Sequence, residues 1–229
     1  MADDKFEIRP QPFREEHFQV ATPNFGELLQ RDTQNANGLK GADGLLAKGI
    51  LPDVQMALQE TGHKPDDLVH KQLPGVGQLD LTYDDHGKLA SAHLDEGQGN
   101  SEDAKFVDGH IVENRLQGLF NADFHFNADG TIASEAFAPS SGANEYYEFD
   151  KNGNVTLSVE SNPDLTSTVL RNEPDDHSVQ ILGNSGNRAT FNFDANQQFQ
   201  NGELTLDGDL YGLRPRKDGG AEATPETRL

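Results

Sequence analysis

The chain has no cysteine and no tryptophan among its 229 residues. The lack of cysteine excludes disulfide bonds, thiolate catalysis, iron–sulfur clusters and zinc sites with cysteine ligands. Apolar runs are only a few residues long, whereas a helix needs about 20 apolar residues to span a membrane. The N-terminus also lacks a basic region followed by an apolar one. We therefore expect a soluble protein, either cytoplasmic or exported without a cleaved signal peptide, with no membrane span.

Positive charge is scarce as well. The chain has 39 Asp and Glu residues against 18 Lys and Arg residues, which gives a formal net charge of −21. Binding of a phosphate backbone requires clustered cations, so this composition argues against nucleic acid as a partner. An acidic surface instead favours a basic protein partner.

The sequence also lacks the motifs that are typical of enzyme active sites. The sequence has no Gly-x-Ser-x-Gly elbow, no His-Glu-x-x-His motif and no complete calcium-binding loop. Three histidines, His86, His110 and His177, lie at or beside predicted turns, where polar residues are common. We therefore assign no catalytic residue, no metal site and no cofactor, and favour a protein that is not an enzyme.

Residues 1–75 have a different sequence pattern from the rest of the chain, because prolines separate short segments whose apolar residues have helical spacing. The pattern predicts helices at 25–31, where Asn24 is a candidate N-cap, at 54–59 and at 65–71. The Asn- and Gly-rich stretch 35–44 between them is typical of a loop.

From residue 76 to residue 213, apolar and polar residues alternate with a period of two, which predicts half-buried antiparallel strands. Many of these runs are joined by one template: an aromatic residue, Asp or Asn, two residues, Gly, one residue and an aliphatic residue. The Asp or Asn is expected to bond its own backbone, and the glycine to supply a positive φ. The template occurs at 83–89, 126–132, 149–155 and, with Gln197 in place of glycine and Phe199 in place of the aliphatic residue, 193–199.

The spacing of these copies indicates a repeat. The aromatic residues are 43, 23 and 44 positions apart, so degenerate copies are expected near residues 105 and 171. Both places carry a strand, turn and strand pattern. The sequence thus predicts six hairpins with a period of about 22 residues, each unable to bury its apolar face alone.

One copy of the template, Tyr83-Asp84-x-x-Gly87-Lys88-Leu89, resembles the signature of YD repeats in bacterial RHS-type proteins. The repeat length is also similar to that of MORN-type and related antitoxin-like repeats. The resemblance covers about residues 76–213. It implies a long antiparallel meander that serves as a shell, scaffold or binding surface, often in bacterial toxin or effector systems, and it transfers no catalytic residue.

The predicted fold is mainly β, an antiparallel meander of about six hairpins that forms a curved sheet or a closed barrel. We divide the chain into a partly helical segment, 1–75, a hairpin-repeat domain, 76–213, and a tail, 214–229. The tail is rich in Gly, Pro and charge, which predicts a flexible segment.

The predicted function is protein binding or scaffolding, as an exported bacterial effector or one member of an effector–partner pair. One alternative is a barrel that binds a small molecule or lipid in an aromatic-lined pocket, or an enzyme built on such a barrel. The candidate lining residues are Phe124, Phe126, His93, His125, Tyr147 and Phe149. A second alternative is a structural subunit that assembles through its sheet edges. The C-terminal Thr227 and Leu229 also resemble a class I PDZ ligand, which would bind a partner by strand addition.

Overall fold

A computed structural model describes residues 18–46, 62–64, 67–118 and 120–226. These residues form one α-helix, α1 (Phe25–Leu46), and sixteen strands. The first eight strands are β1 (Phe18–Val20), β2 (Leu68–Leu73), β3 (Gly77–Tyr83), β4 (Leu89–Gly97), β5 (Asn100–Val107), β6 (His110–Gln117), β7 (Phe120–Phe126) and β8 (Ile132–Pro139). The remaining eight are β9 (Asn144–Phe149), β10 (Val155–Ser161), β11 (Ser167–Glu173), β12 (Asp176–Leu182), β13 (Arg188–Phe193), β14 (Phe199–Leu206), β15 (Asp209–Pro215) and β16 (Ala221–Pro225).

The sixteen strands belong to one antiparallel sheet. Its strand order follows the chain from β2 to β16, and β1 is added beside β16, so that β1 and β2 are the two terminal strands. This confirms the predicted mainly β meander with a helix near the N-terminus. Of the two predicted forms, the closed barrel is not formed, because β1 and β2 do not pair with each other.

The described residues divide into two compact units. Unit 1 contains those up to Thr33 together with those from Thr156 onward, and unit 2 contains those from Gln34 to Val155. Strands β2 to β9 therefore lie in unit 2, whereas β11 to β16 and β1 lie in unit 1.

Strands β3 to β14 correspond in order to the six predicted hairpins. A further hairpin, β15 with β16, follows them and corrects the prediction of a flexible tail over residues 214–229. Its second strand carries Ala221 and Ala223, which are fully buried and pair with Pro215 and Leu213. Because alanine is small and weakly apolar, this alternation was not recognised in the sequence. Residues 227–229 lie outside the described part of the chain.

The turns have the predicted chemistry. In the turn after β9, Oδ1 of Asp150 accepts hydrogen bonds from the backbone N–H groups of Asn152, at 2.8 Å, and Asn154, at 2.9 Å. Gly153 has a φ of +79°, which a residue with a Cβ rarely adopts. The same pair of carboxylate bonds is formed by Asp84 and by Asp194.

Gln197, the one residue that departs from glycine in the template, adopts the same conformation with a φ of +63°. Its side chain lies against the first turn of α1, since a Cβ atom at Gly26 would be only 2.6 Å from Oε1 of Gln197. The copy of the template that has Gln197 in place of glycine is thus a turn that contacts α1.

Helix α1 begins as predicted but is longer. Asn24 caps it, because its Oδ1 accepts a hydrogen bond from the backbone N–H of Glu27 at 3.3 Å. The predicted loop at 35–44 is helical instead, so the low helix propensity of Asn and Gly did not decide the structure there. Buried Asp32 and Ala36, at 5% and 1% exposure, mark the packed side of the helix.

The segment predicted as a helix at 65–71 also differs. The described part of it belongs to β2, whose side chains alternate between exposed and half-buried positions and whose residues pair with β3. The acidic residues at the start of this segment and the basic residues at its end fit a helix. Pairing with β3 nevertheless makes the segment a strand. The predicted helix at 54–59 lies outside the described residues.

In unit 1, one face of the sheet packs against α1. Phe25 is 1% exposed and is joined in the core by Leu28 and Leu29 from the next helical turn. The sheet contributes Leu170, Val179, Phe191, Leu204 and Leu213. A polar contact reinforces this packing, because Oγ of Ser158 donates to Oδ2 of the buried Asp32 at 2.5 Å.

Unit 2 has its own core on one face of strands β2 to β9. Its larger cluster is centred on Leu79, Leu81 and Leu94, and a smaller one on Ala122 and Phe124. Strand residues alternate between the two faces, so the residues between these core positions form a second, polar face. The period-two pattern of the sequence predicts this arrangement of one packed face and one solvent-exposed face.

Candidate binding face

The polar face of unit 2 carries a row of charged and titratable side chains on six consecutive strands. Residues directly opposite one another across β2 to β7 are His70, Asp80, His93, Asp103, Arg115 and Asp123. We call these six residues the acid–base row. Basic and acidic types alternate along it, so that each base has an acid as its cross-strand neighbour.

The row is assembled from three close pairs. Nδ1 of His70 lies 2.7 Å from Oδ1 of Asp80, and Nδ1 of His93 lies 2.7 Å from Oδ1 of Asp103. Nε of Arg115 donates to Oδ1 of Asp123 at 2.5 Å. Opposite charges directly across an antiparallel pair stabilise each other modestly, by about 0.2 to 1 kcal/mol.

A second row runs parallel to the first on the same face. Its members, in register from β3 to β9, are Thr82, Ser91, Lys105, Glu113, His125, Ser134 and Glu148. Nζ of Lys105 donates to Oε2 of Glu113 at 2.7 Å, and Arg115 of the acid–base row lies 3.8 Å from the other oxygen of that carboxylate. Glu113 thus links the two rows.

These contacts fix the charge states of several groups. Hydrogen bonds from Gln78 and then His70 lower the pKa of Asp80. The hydrogen bond from Lys105 lowers the pKa of Glu113, and the bond to Asp123 raises the pKa of Arg115. Each favours the ionised form, because a partner that bonds to the charged form stabilises it.

Negative charge is in excess on this face. The two rows contain five carboxylates, those of Asp80, Asp103, Asp123, Glu113 and Glu148, and two permanent cations, Lys105 and Arg115. With neutral histidines the excess is three negative charges. The face therefore has the same sign as the whole chain.

The six predicted pocket residues are separated by the sheet. Phe124, Tyr147 and Phe149 are buried at 3%, 3% and 9% exposure, and Phe126 packs partly buried against the cluster of Phe124. His93 and His125, in contrast, are exposed members of the two polar rows. The structure therefore does not bring the histidines together with the aromatic side chains. Thr227 and Leu229 lie outside the described residues.

Sequence reasoning missed the acid–base row. Successive members of the row are 8 to 13 positions apart in the chain. A polar residue at alternate positions of each strand was a usable signal, but only knowledge of the register between strands aligns these residues.

Within the described part of the chain, no three His, Asp or Glu side chains come close enough to bind a metal ion. No helix in this part of the chain combines the length and the apolar character that a membrane span requires. The described residues thus form an open antiparallel meander, in which the strands of unit 2 have one packed face and one acidic face. A scan against protein-family models found no match, and neither did a search of the curated proteins.

Proposed function

We propose that the protein is a non-enzymatic binding protein that holds a basic protein partner on the polar face of unit 2. The observation that carries the proposal is the acid–base row, in which three close pairs order the exposed side chains before any partner arrives. Side chains that are already ordered lose less conformational entropy on binding.

The size of the face supports a macromolecular partner. Eight strands at about 4.8 Å spacing and roughly 20 Å length cover roughly 700 Å², close to the 800 Å² per partner of a standard protein interface. Small-molecule sites are instead concave and mostly apolar. A broad, polar surface of this kind suits another protein.

The excess of carboxylates supports a partner of opposite charge. A basic surface would be attracted over a distance of about one Debye length, roughly 8 Å at physiological salt, and association would slow as salt is added. The pairs within the face add specificity, because a partner must match their alternating pattern.

The test compares the wild-type chain with the variant Asp80→Asn/Asp103→Asn/Asp123→Asn. A control variant, Glu173→Gln/Asp175→Asn/Asp209→Asn, removes the same charge from exposed positions of unit 1. Each protein is immobilised, exposed to an extract of its source cells, and the retained proteins are quantified by mass spectrometry. We expect a basic protein that the wild type and the control retain and the first variant loses.

Cross-linking locates the contact. Lys105 lies on the proposed face, whereas Lys217 lies in the exposed turn between β15 and β16. The partner should cross-link to Lys105 in preference to Lys217. Equal retention by both variants, or cross-links confined to Lys217, would count against the proposal.

Assembly through sheet edges is a second candidate, favoured by β2. Among the described residues this six-residue strand pairs only with β3, and Leu68 at its start is 54% exposed. Unpaired edges are templates for a further strand. Light scattering should then show mass that rises with concentration, and a constant monomer mass would dismiss this candidate.

A further inference from the structure

A groove of about 570 Å³ lies on unit 1. It follows the polar face of β13 to β16, where Thr190, Glu203, Gly212 and Thr224 are directly opposite one another. Their neighbours Leu204 and Leu213 are fully buried, which places this row on the side away from the core. Grooves of roughly 300 to 1,000 Å³ accommodate small ligands or single side chains.

Gly212 creates the depth of the groove. The other three members of the row carry side chains, whereas Gly212 has none, so space is left above the sheet backbone at this point. The side chain of Glu226 reaches over it, since a Cβ atom at Gly212 would lie 3.2 Å from Oε1 of Glu226. A hydrogen bond from the backbone N–H of Glu226 to the carbonyl of Leu210, 2.9 Å long, holds this residue beside the groove.

The lining is rich in hydrogen-bond acceptors. Glu203 and Glu226 place two carboxylates at the uncovered backbone of Gly212, and among the described residues neither carboxylate forms a side-chain hydrogen bond or an ion pair. In the row, Thr190 is the cross-strand neighbour of Glu203 and Thr224 is that of Gly212, and the hydroxyl of Thr224 donates to the carbonyl oxygen of Gly212 at 3.4 Å. Asn192 and Asn201, in contrast, bond to each other at 2.7 Å.

The charge of the groove differs between its two ends, because Arg214 provides a cation. Arg214 follows Gly212 by two residues on β15, which corresponds to about 7 Å along the strand. A cationic group is therefore favoured over Gly212, and an acceptor such as a peptide carbonyl is favoured toward Arg214. We propose that this groove binds a lysine or arginine side chain presented by an extended polypeptide segment. The site is independent of the polar face of unit 2.

The experiment is an NMR titration of the full chain with a blocked Gly-Lys-Gly peptide, and with blocked Gly-Gln-Gly as the uncharged comparison. We expect saturable shifts of the Gly212 amide with the lysine peptide only. The variant Glu203→Gln/Glu226→Gln should weaken binding about fivefold, because two exposed ion pairs are removed. The control Glu173→Gln/Asp209→Asn should bind as the wild type does.

A second variant separates loss of the site from loss of folding. Gly212→Val fills the groove, and valine suits a half-buried strand position whose φ lies outside the positive region. This variant should keep the wild-type spectrum elsewhere and lose binding. The proposal is overturned if no saturable shift occurs, if both peptides bind equally, or if Gly212→Val binds as well as the wild type.

Discussion

Phe25 anchors helix α1 to the sheet of unit 1, and its removal is the most direct test of that packing. The side chain is 1% exposed, and its ring centroid lies 5.0 Å from that of Phe193 and 5.9 Å from that of His177. The substitution Phe25→Ala removes the ring and leaves a cavity between these two residues.

We expect Phe25→Ala to cause a large loss of stability. A buried phenylalanine removes about 150 to 250 Å² from water, which at about 25 cal/mol per Å² amounts to roughly 4 to 6 kcal/mol. Alanine retains a part of this burial, so we expect Phe25→Ala to lower the free energy of unfolding by about 3 to 5 kcal/mol. Phe25→Leu keeps most of the volume and should cost less than about half of that.

Urea denaturation followed by circular dichroism measures both variants, since the chain has no tryptophan to report by fluorescence. If the helix detaches without the sheet, amide hydrogen exchange at Leu28 and Leu29 should report the same loss locally. A loss below about 1 kcal/mol in both measurements would refute the packing argument. Equal losses for the alanine and leucine variants would refute the assignment of the effect to a cavity.

Three further predictions concern the turns and the buried polar contact. Gly153→Ala should lower stability by about 1 to 2 kcal/mol in thermal denaturation, because its φ of +79° is unfavourable for a residue with a Cβ; an unchanged midpoint would contradict this. The turn bonds lower the pKa of Asp150 from 3.8 to about 2, so its carboxylate stabilises the fold above about pH 4 and this contribution is lost as the pH falls toward 2. The stability difference between the wild type and Asp150→Asn should therefore shrink over that range, and a constant difference would be inconsistent with the assignment. Ser158→Ala leaves the buried carboxylate of Asp32 without its 2.5 Å donor and should cost about 1 to 3 kcal/mol in urea denaturation, whereas a neutral result would show that water replaces the hydroxyl.

The hairpins could be predicted because their information is local. Asp150 and Gly153 lie in the turn that they shape, and the period-two alternation records which residues of each strand are buried. The same local rules failed for the strand that contains Ala221 and Ala223, because alanine is too weakly apolar to give a clear period-two pattern. They also failed at 35–44, where a stretch rich in Asn and Gly is helical.

The two candidate sites depend on alignment between strands. His93 and Asp103 are ten positions apart in the chain and 2.7 Å apart in the structure, because β4 and β5 pair in one particular register. A shift of that register by one residue would move each side chain to the opposite face. The groove over Gly212 likewise requires four strands in register.

The sequence by itself determined the antiparallel meander, the positions of six of its hairpins and the acidic charge of the chain. These properties depend on composition, on a period of two and on turns that close within a few residues. Only the tertiary structure decided that the sheet stays open, that α1 covers the core face of unit 1 and that the acid–base row forms. Each of these depends on which strands lie side by side and in what register, and that is set by the simultaneous burial of apolar side chains from distant parts of the chain.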